Sequence, residues 1–146
     1  MSLNRIFDIA GSAMSAQSIR LNTTASNIAN ADTASSSTDE VYRARKPVFA
    51  AIQQSVMETG FSTAFTDTPE SQGVEVKGIV ESDAPLNMRY QPDHPMADND
   101  GYVMYPNVNV VEEMTDMLSA SRSFQTNVDV MDAAKTMMQR ILTLGQ

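Results

Sequence analysis

The chain of 146 residues contains no cysteine and no tryptophan, and its only histidine is His94. Without cysteine it forms no disulfide, no thiolate zinc site and no thiol nucleophile. Aromatic residues make up 6% and hydrophobic residues 42% of the chain, a lean supply for a compact globular core. At this length the chain is most simply one domain, or a core with a small insertion.

No apolar run approaches the roughly 18 residues of a membrane span, so we expect no transmembrane segment. Residues 1–5 lack the basic and long apolar regions of a secretory signal, which predicts a cytoplasmic protein unless export uses another apparatus. The net charge is −8, and between Asp67 and Asp100 eight acidic residues face only Lys77 and Arg89. This acidic middle argues against nucleic acid or an anionic membrane as partner.

No pattern of catalytic residues emerges. His94 lies in a rigid turn between Asp93 and Pro95, where a structural or exposed role is the usual one. Asp98 and Asp100 precede Gly101 as in part of a calcium loop, but the ligand position two residues before Asp98 is occupied by Met96. We therefore expect no enzyme activity, no cofactor and no metal site.

Two segments at opposite ends of the chain repeat at alternating steps of four and three, the spacing of a coiled-coil seam. The N-terminal seam comprises Leu3, Phe7, Ala10, Met14, Gln17, Leu21, Thr24, Ile28 and Ala31. The C-terminal seam comprises Val110, Met114, Met117, Ser121, Phe124, Val128, Met131, Lys135, Met138 and Leu142. All of these except Gln17, Thr24, Ala31, Ser121 and Lys135 are predicted to form an assembly interface.

The same periodicity predicts one helix over residues 3–31 and another from a cap at Asn107 or Asn109 to about Leu144. Between them we predict an extended segment over 41–55 that Pro47 splits or confines to an edge, and strands over 73–81, 86–90 and 102–105. The fold class is mainly α with a small β insertion, with the terminal helices forming a coiled-coil core. The predicted domains are the N-terminal assembly helix (1–33), a loop with a small β-rich central domain (34–106) and the C-terminal assembly helix (107–146).

An energy estimate suggests that the first helix needs partners. Ordering residues 3–31 costs roughly 30–60 kcal/mol of backbone entropy. The five large apolar residues of the N-terminal seam return roughly 8–15 kcal/mol on burial, and backbone hydrogen bonds offset only part of the remainder. We predict that this helix is partly disordered in the free monomer and orders on assembly.

Several segments resemble bacterial flagellar proteins. Ile6-Phe7-Asp8-Ile9-Ala10-Gly11-Ser12-Ala13-Met14-Ser15-Ala16-Gln17 and Asn27-Ile28-Ala29-Asn30-Ala31-Asp32-Thr33 resemble the N-terminal signature of the flagellar rod, hook and hook-associated family. Tyr42-Arg43 lies where that family has a short extended segment. The segments 92–98, 101–103, 106–108, 119–125 and 142–146 are similar to the proximal rod members of the family.

The resemblance implies a structural subunit of the basal-body proximal rod, exported unfolded by the flagellar type III apparatus without a cleaved signal. It implies a place in the periplasm-spanning rod, where terminal helices pack as coiled coils into a tube that transmits torque and surrounds the export channel. The implied partners are neighbouring copies, other flagellar rod proteins, the rod base protein and ring components. The segment from Asp67 to Tyr90 shows little family signature, so no contacts are carried over to it.

Two other functions stay open on the residues alone. A soluble adapter or export chaperone could bind a partner helix through the methionine-rich C-terminal helix, since methionine suits adaptable surfaces as well as cores. A small enzyme could use the acidic β insertion, although nothing in the spacing of its carboxylates selects a pair.

Overall fold

The computed structural model describes residues 3–37, 40–53 and 71–144. The order of elements is α1 (Leu3–Asn30), β1 (Arg45–Gln53), β2 (Ser71–Glu81), β3 (Asn87–Tyr90), β4 (Tyr102–Tyr105) and α2 (Val110–Leu144). Two long terminal helices with a few short strands between them confirm the coarse fold class. A coiled coil between the helices stays a prediction.

Local contacts explain where α2 begins and where α1 ends. Asn109 is the N-cap of α2, because its side-chain Oδ1 accepts a hydrogen bond from the amide of Val111 at 3.1 Å. Glu112 and Glu113 then lie in the first turn, where the helix dipole favours negative charge. At the end of α1 the amide of Ala31 donates to the carbonyl of Ile28 at 3.2 Å, which tightens the last turn.

The strands form two small sheets. β1 pairs with β2, and β3 pairs with β4. In a two-stranded sheet every strand is an edge, so Pro47 inside β1 agrees with its predicted effect. β3 and β4 are antiparallel, with Met88 opposite Met104 and Tyr90 opposite Tyr102. The predicted extended segment over 41–55 is shorter in the structure, since β1 begins at Arg45, and residues 54–55 lie outside the described residues.

The chain packs as two compact units, each assembled from separate segments. The described residues of the first lie within Met1–Ser18, Val48–Gly78 and Ser121–Gln146, and those of the second lie within Ile19–Pro47 and Ile79–Ala120. In the first unit the buried residues Ala10, Ala16 and Ala134 are small. In the second, a core cluster joins Ala31, Ala44 and Val108, with Tyr42 and Val110 packed against it. The division into terminal assembly helices and a central domain stays a prediction about the assembled state.

Candidate assembly surface

Asn27 joins the end of α1 to the start of β1 in the second unit. Its side chain is 1% exposed. Nδ2 donates to the carbonyl of Arg45 at 2.8 Å, while Oδ1 accepts from the amide of Arg45 at 2.9 Å and from the hydroxyl of Tyr42 at 2.8 Å. The carboxamide therefore pairs with both backbone groups of Arg45, as a neighbouring strand would. Only a side chain with a donor and an acceptor at this position satisfies both groups.

Asn107 makes a second junction, between the segment before β1 and the segment after β2. Its Oδ1 accepts from the amide of Ala44 at 2.8 Å, and its Nδ2 donates to the carbonyls of Ser82 at 3.2 Å and Ala84 at 2.9 Å. The amide of Ser82 donates to the carbonyl of Ala44 at 2.8 Å. Asn107 thus holds three backbone segments of the second unit together just before α2 begins.

Ion pairs connect the elements of the second unit. Arg20 of α1 contacts Asp116 of α2 at 2.8 Å, and both side chains are about one-third exposed or less. Lys46 donates a hydrogen bond to Glu112 at 3.0 Å with both side chains more than half exposed, and this bond raises the pKa of Lys46. Exposed pairs contribute little to stability, so the Arg20–Asp116 pair is the one that matters for positioning α1 beside α2.

The β3–β4 hairpin has one buried face and one exposed face. Val103 and Tyr105 are buried on one face, and Met88, Tyr90 and Tyr102 are exposed on the other. The rings of Tyr90 and Tyr102 meet edge to face with centroids 5.4 Å apart. Gly101 has a φ of +80°, and a Cβ added there would lie 2.9 Å from the ring of Tyr90. Glycine is therefore required where the chain enters β4.

Two of the side chains considered for chemistry, His94 and Asp98, accept hydrogen bonds within turns. The Nδ1 atom of His94 accepts a hydrogen bond from the amide of Met96 at 3.1 Å, which closes the turn after β3. Asp98 Oδ1 accepts from the amide of Asn99 at 2.7 Å in the same way. Among the residues the structure describes, no group of three or more acidic or histidine side chains is placed to hold a metal ion.

The predicted assembly residues differ in burial within the single chain. On α1, Ala10 is buried and Phe7, Met14, Leu21 and Ile28 are half-buried, while the side chain of Leu3 lies outside what the structure describes. On α2, the half-buried members are Val110, Met117, Phe124, Val128, Met131 and Met138. Met114 and Leu142 are exposed. Their role in assembly stays a prediction, because it concerns contacts with other chains.

The two asparagine junctions and one buried row of residues on α2 were not predicted from the sequence. Glu113, Ala120 and Ala134 are buried at multiples of seven residues, and half-buried Asn127 fills the gap between the last two. A heptad repeat of small and polar residues carries no hydrophobic signal, so a pattern of apolar residues at steps of three and four does not reveal it. Asn27 could have been identified as a polar residue on the inward face of α1, where Thr23 and Thr24 are also buried.

Comparisons with known proteins place matches at both ends of the chain and over its whole length. The family model described as "Flagella basal body rod protein" matches residues 7–34, and "Flagellar basal body rod FlgEFG protein C-terminal" matches residues 99–144. The chain is 47% identical to the flagellar basal-body rod protein FlgC of Salmonella typhimurium (strain LT2), with all of both chains covered. This chain belongs to the FlgC family of flagellar basal-body rod proteins. FlgC of Yersinia enterocolitica is 48% identical over the full length of both chains, and FlgC of Borreliella burgdorferi is 34% identical, covering 100% of this chain and 99% of that protein.

Membership of the FlgC family confirms the resemblance that the sequence segments carried. The two matched regions contain the structural junctions as well as the helices: Asn27 lies in the first, and Gly101 and Asn107 lie in the second. Within the described ranges, neither helix has the length and apolar character needed to cross a bilayer.

Proposed function

We propose that this chain is a structural subunit of the flagellar basal-body rod that polymerises through its terminal helices. In this proposal the helices form the wall of a tube that surrounds the export channel and transmits torque, and the β region lies outside it. The subunit travels through the type III apparatus without a cleaved signal to the periplasm-spanning rod. There it contacts further copies, other rod proteins, the rod base protein and ring components.

The observation that carries the proposal is the full-length match to rod proteins, with 47% identity over all of both chains for the Salmonella typhimurium protein. Such a match covers the terminal helices and the β region alike. The relatives are named as rod proteins and not as enzymes, which agrees with the expected lack of catalysis. Nothing in the relatives or in the described contacts favours the adapter or chaperone alternative.

The dimensions of the helices suit the proposed role. The 28 residues of α1 and the 35 residues of α2 give helices of about 42 Å and about 52 Å. Helices of that length with half-buried apolar residues along them offer neighbouring subunits long surfaces. Contacts that join different surfaces of successive copies do not close, so they build tubes or filaments.

A pair of charge substitutions tests the assembly role of the seams. Leu21→Asp and Phe124→Asp each place a carboxylate where burial costs several kcal/mol without a partner. We expect both variants to lose incorporation into basal bodies and swimming in soft agar. Ser18→Asp and Gln125→Asp are matched controls, because each introduces the same charge at a nearby, exposed position.

Folding of the purified monomers must be checked by circular dichroism, so that loss of assembly is separated from loss of structure. Normal rods containing Leu21→Asp and Phe124→Asp would show that these positions do not lie in the interface. Absence of the unsubstituted chain from isolated basal bodies would overturn the rod assignment itself. A chain that acts as an adapter would be recovered with its partner in the cytoplasm and not in the basal body.

A further inference from the structure

The outer edge of β3 has backbone groups that β4 does not use. The amide of Gln91 donates to the carbonyl of Gly101 at 2.9 Å, which fixes the hydrogen-bonding phase of the antiparallel pair. Alternate residues of such a strand bond to the partner strand, so Arg89 bonds to β4, and Met88 and Tyr90 direct their amides and carbonyls outward. Within the part of the chain that the structure describes, no group bonds to these outward amides and carbonyls.

The outer edge of β4, in contrast, is occupied. Met104 exchanges hydrogen bonds with Ser35 at 3.1 and 3.4 Å. The carbonyl of Tyr102 accepts from the amide of Asp98 at 2.8 Å. All four residues of β3 are exposed. A short, exposed edge with free donors and acceptors is a template for another extended backbone, so β3 is the edge of this hairpin that can accept a further strand.

One face beside this open edge is apolar. Met88 and Tyr90 are each 65% exposed and share a face with Tyr102, which is 45% exposed. The ring of Tyr90 meets that of Tyr102 edge to face and lies close to Gly101, where an added Cβ would be 2.9 Å away. The ring is therefore held in place from the side of β4. A pre-positioned aromatic side chain of this kind is a typical anchor for a binding partner, and it favours apolar residues on this face of an incoming strand.

The opposite face carries a positive charge. Lys77 and Arg89 are the two cations in the acidic middle of the chain. Lys77 pairs with Glu75. The guanidinium of Arg89 lies 4.5 Å from the ring centre of Tyr105, and it pairs with no carboxylate among the described residues. Because Tyr105 belongs to β4, the side chain of Arg89 leans across the hairpin and leaves the outer backbone of β3 uncovered.

A second copy of β3 does not suit this edge. The antiparallel register that uses all the outward groups places Met88 opposite Tyr90 of the second copy, and Arg89 then lies opposite Arg89. Like charges directly opposite each other destabilise a pair of strands. The edge therefore disfavours pairing with itself and favours a strand with a carboxylate opposite Arg89.

We propose that the outer edge of β3 binds an extended segment of another protein in which a glutamate is flanked by apolar residues. The backbone of the segment bonds to the amides and carbonyls of Met88 and Tyr90, as in β-strand addition. The glutamate lies opposite Arg89, and its apolar neighbours lie on the other face, beside Tyr90. Glutamate suits this position better than aspartate, because aspartate is more strongly depleted from strands. The site lies within a single chain, so it does not depend on the proposed rod function.

A labelled peptide tests the choice of partner. The probe consists of two threonines, valine, glutamate, valine and two threonines, and the control peptide has lysine in place of glutamate. Fluorescence anisotropy with the purified full chain should show binding of the glutamate peptide. The lysine peptide should bind about three- to tenfold more weakly, since attraction to Arg89 is replaced by repulsion at an exposed site. In Arg89→Glu the order of the two peptides should reverse.

A proline at the edge tests the backbone pairing. Met88→Pro removes an outward amide and no bond to β4, so the hairpin is retained. It should bind the glutamate peptide about tenfold more weakly than Met88→Ala, which loses the same side chain and keeps the amide. In the natural chain, hydrogen exchange at Met88 and Tyr90 should slow when the peptide is added. The amide of Arg89, which bonds to β4, should be protected with and without the peptide.

Several results would overturn the proposal. No saturable binding of the glutamate peptide, equal binding of the two peptides to the natural chain, or equal binding by Met88→Pro and Met88→Ala would each do so. An unprotected amide of Arg89 in the free chain would mean that the hairpin, and with it the site, is absent in solution. Dimers of the natural chain that Met88→Pro dissociates would identify a second copy as the occupant. The rod function is tested separately by recovery of the chain in basal bodies, so it stands if peptide binding fails.

Discussion

Replacing Asn27 with alanine removes a side chain that satisfies two backbone groups 18 residues away. Nδ2 and Oδ1 pair with the carbonyl and the amide of Arg45, and Oδ1 also accepts from the hydroxyl of Tyr42. A buried polar group left without a partner costs about 1–3 kcal/mol. The side chain of Arg45 is exposed, which lets water reach part of this backbone, so we expect Asn27→Ala to lower the free energy of unfolding by about 2–4 kcal/mol.

The measurement is urea unfolding of the purified chain followed by circular dichroism. Asn22→Ala is the matched control, because it makes the same change on the same helix at an exposed position, and it should stay within about 0.5 kcal/mol. Tyr42→Phe keeps the pairing with Arg45 and removes only the hydroxyl, so it should cost about 0.5–1.5 kcal/mol. The double variant should cost less than the sum of the two, since both substitutions remove the same hydrogen bond.

Equal stability of Asn27→Ala and Asn22→Ala would refute the reasoning. It would mean that the amide of Asn27 does not hold β1 to α1 in the free chain, or that the second half of α1 is not folded there. Hydrogen exchange of the natural chain separates these two explanations, because only the second leaves the amides of residues 19–30 unprotected.

Three further perturbations have distinct expected signs. Gly101→Ala should lower stability by about 1–3 kcal/mol because of its positive φ and the nearby Tyr90 ring, whereas Gly11→Ala, in open space within α1, should raise it by about 0.5–1 kcal/mol; thermal unfolding measures both. The raised pKa of Lys46 means that its bond to Glu112 stabilises the fold while the amine is charged, below the ordinary value of 10.5. That contribution is lost as the pH rises further. Above pH 10 the free energy of unfolding should therefore fall less steeply in Lys46→Met than in the natural chain, and an unchanged profile would count against the bond. Hydrogen exchange in dilute solution should show residues 3–18 exchanging faster than 19–30, and uniform protection along α1 at every concentration would contradict ordering on assembly.

The helices and most strands were predictable because local signals determine them. A four-and-three repeat identified both helices, and an asparagine cap located the start of α2 within two residues. Alternation along the chain located β2 and β3, and the turn before Gly101 located β4. The pairing of strands was not predicted, since it depends on contacts between segments distant along the chain.

The asparagine junctions were beyond sequence analysis for the same reason. By helix propensity Asn27 is an unfavourable residue near the end of α1. Its stabilising hydrogen bonds form only when Arg45 lies beside it, and a propensity scale does not include contacts between distant residues. Asn107 was considered as a cap for α2, but Asn109 takes that role and Asn107 binds the backbone of Ala44, Ser82 and Ala84 instead.

The burial pattern of α2 explains why a single chain leaves so much apolar surface uncovered. The residues most buried along α2 are Glu113, Ala120 and Ala134, two of which have minimal side chains. Small residues permit close approach but bury little apolar area. Phe124 and several other large side chains are only half-buried, and seven more are over 40% exposed: Val111, Met114, Leu118, Val130, Met137, Ile141 and Leu142. A helix that buries small residues and leaves many large apolar ones partly or fully exposed gains much of its hydrophobic stabilisation from neighbours. We therefore expect the stability of this subunit to rise on incorporation into the rod, with α2 contributing more of the increase than the β region.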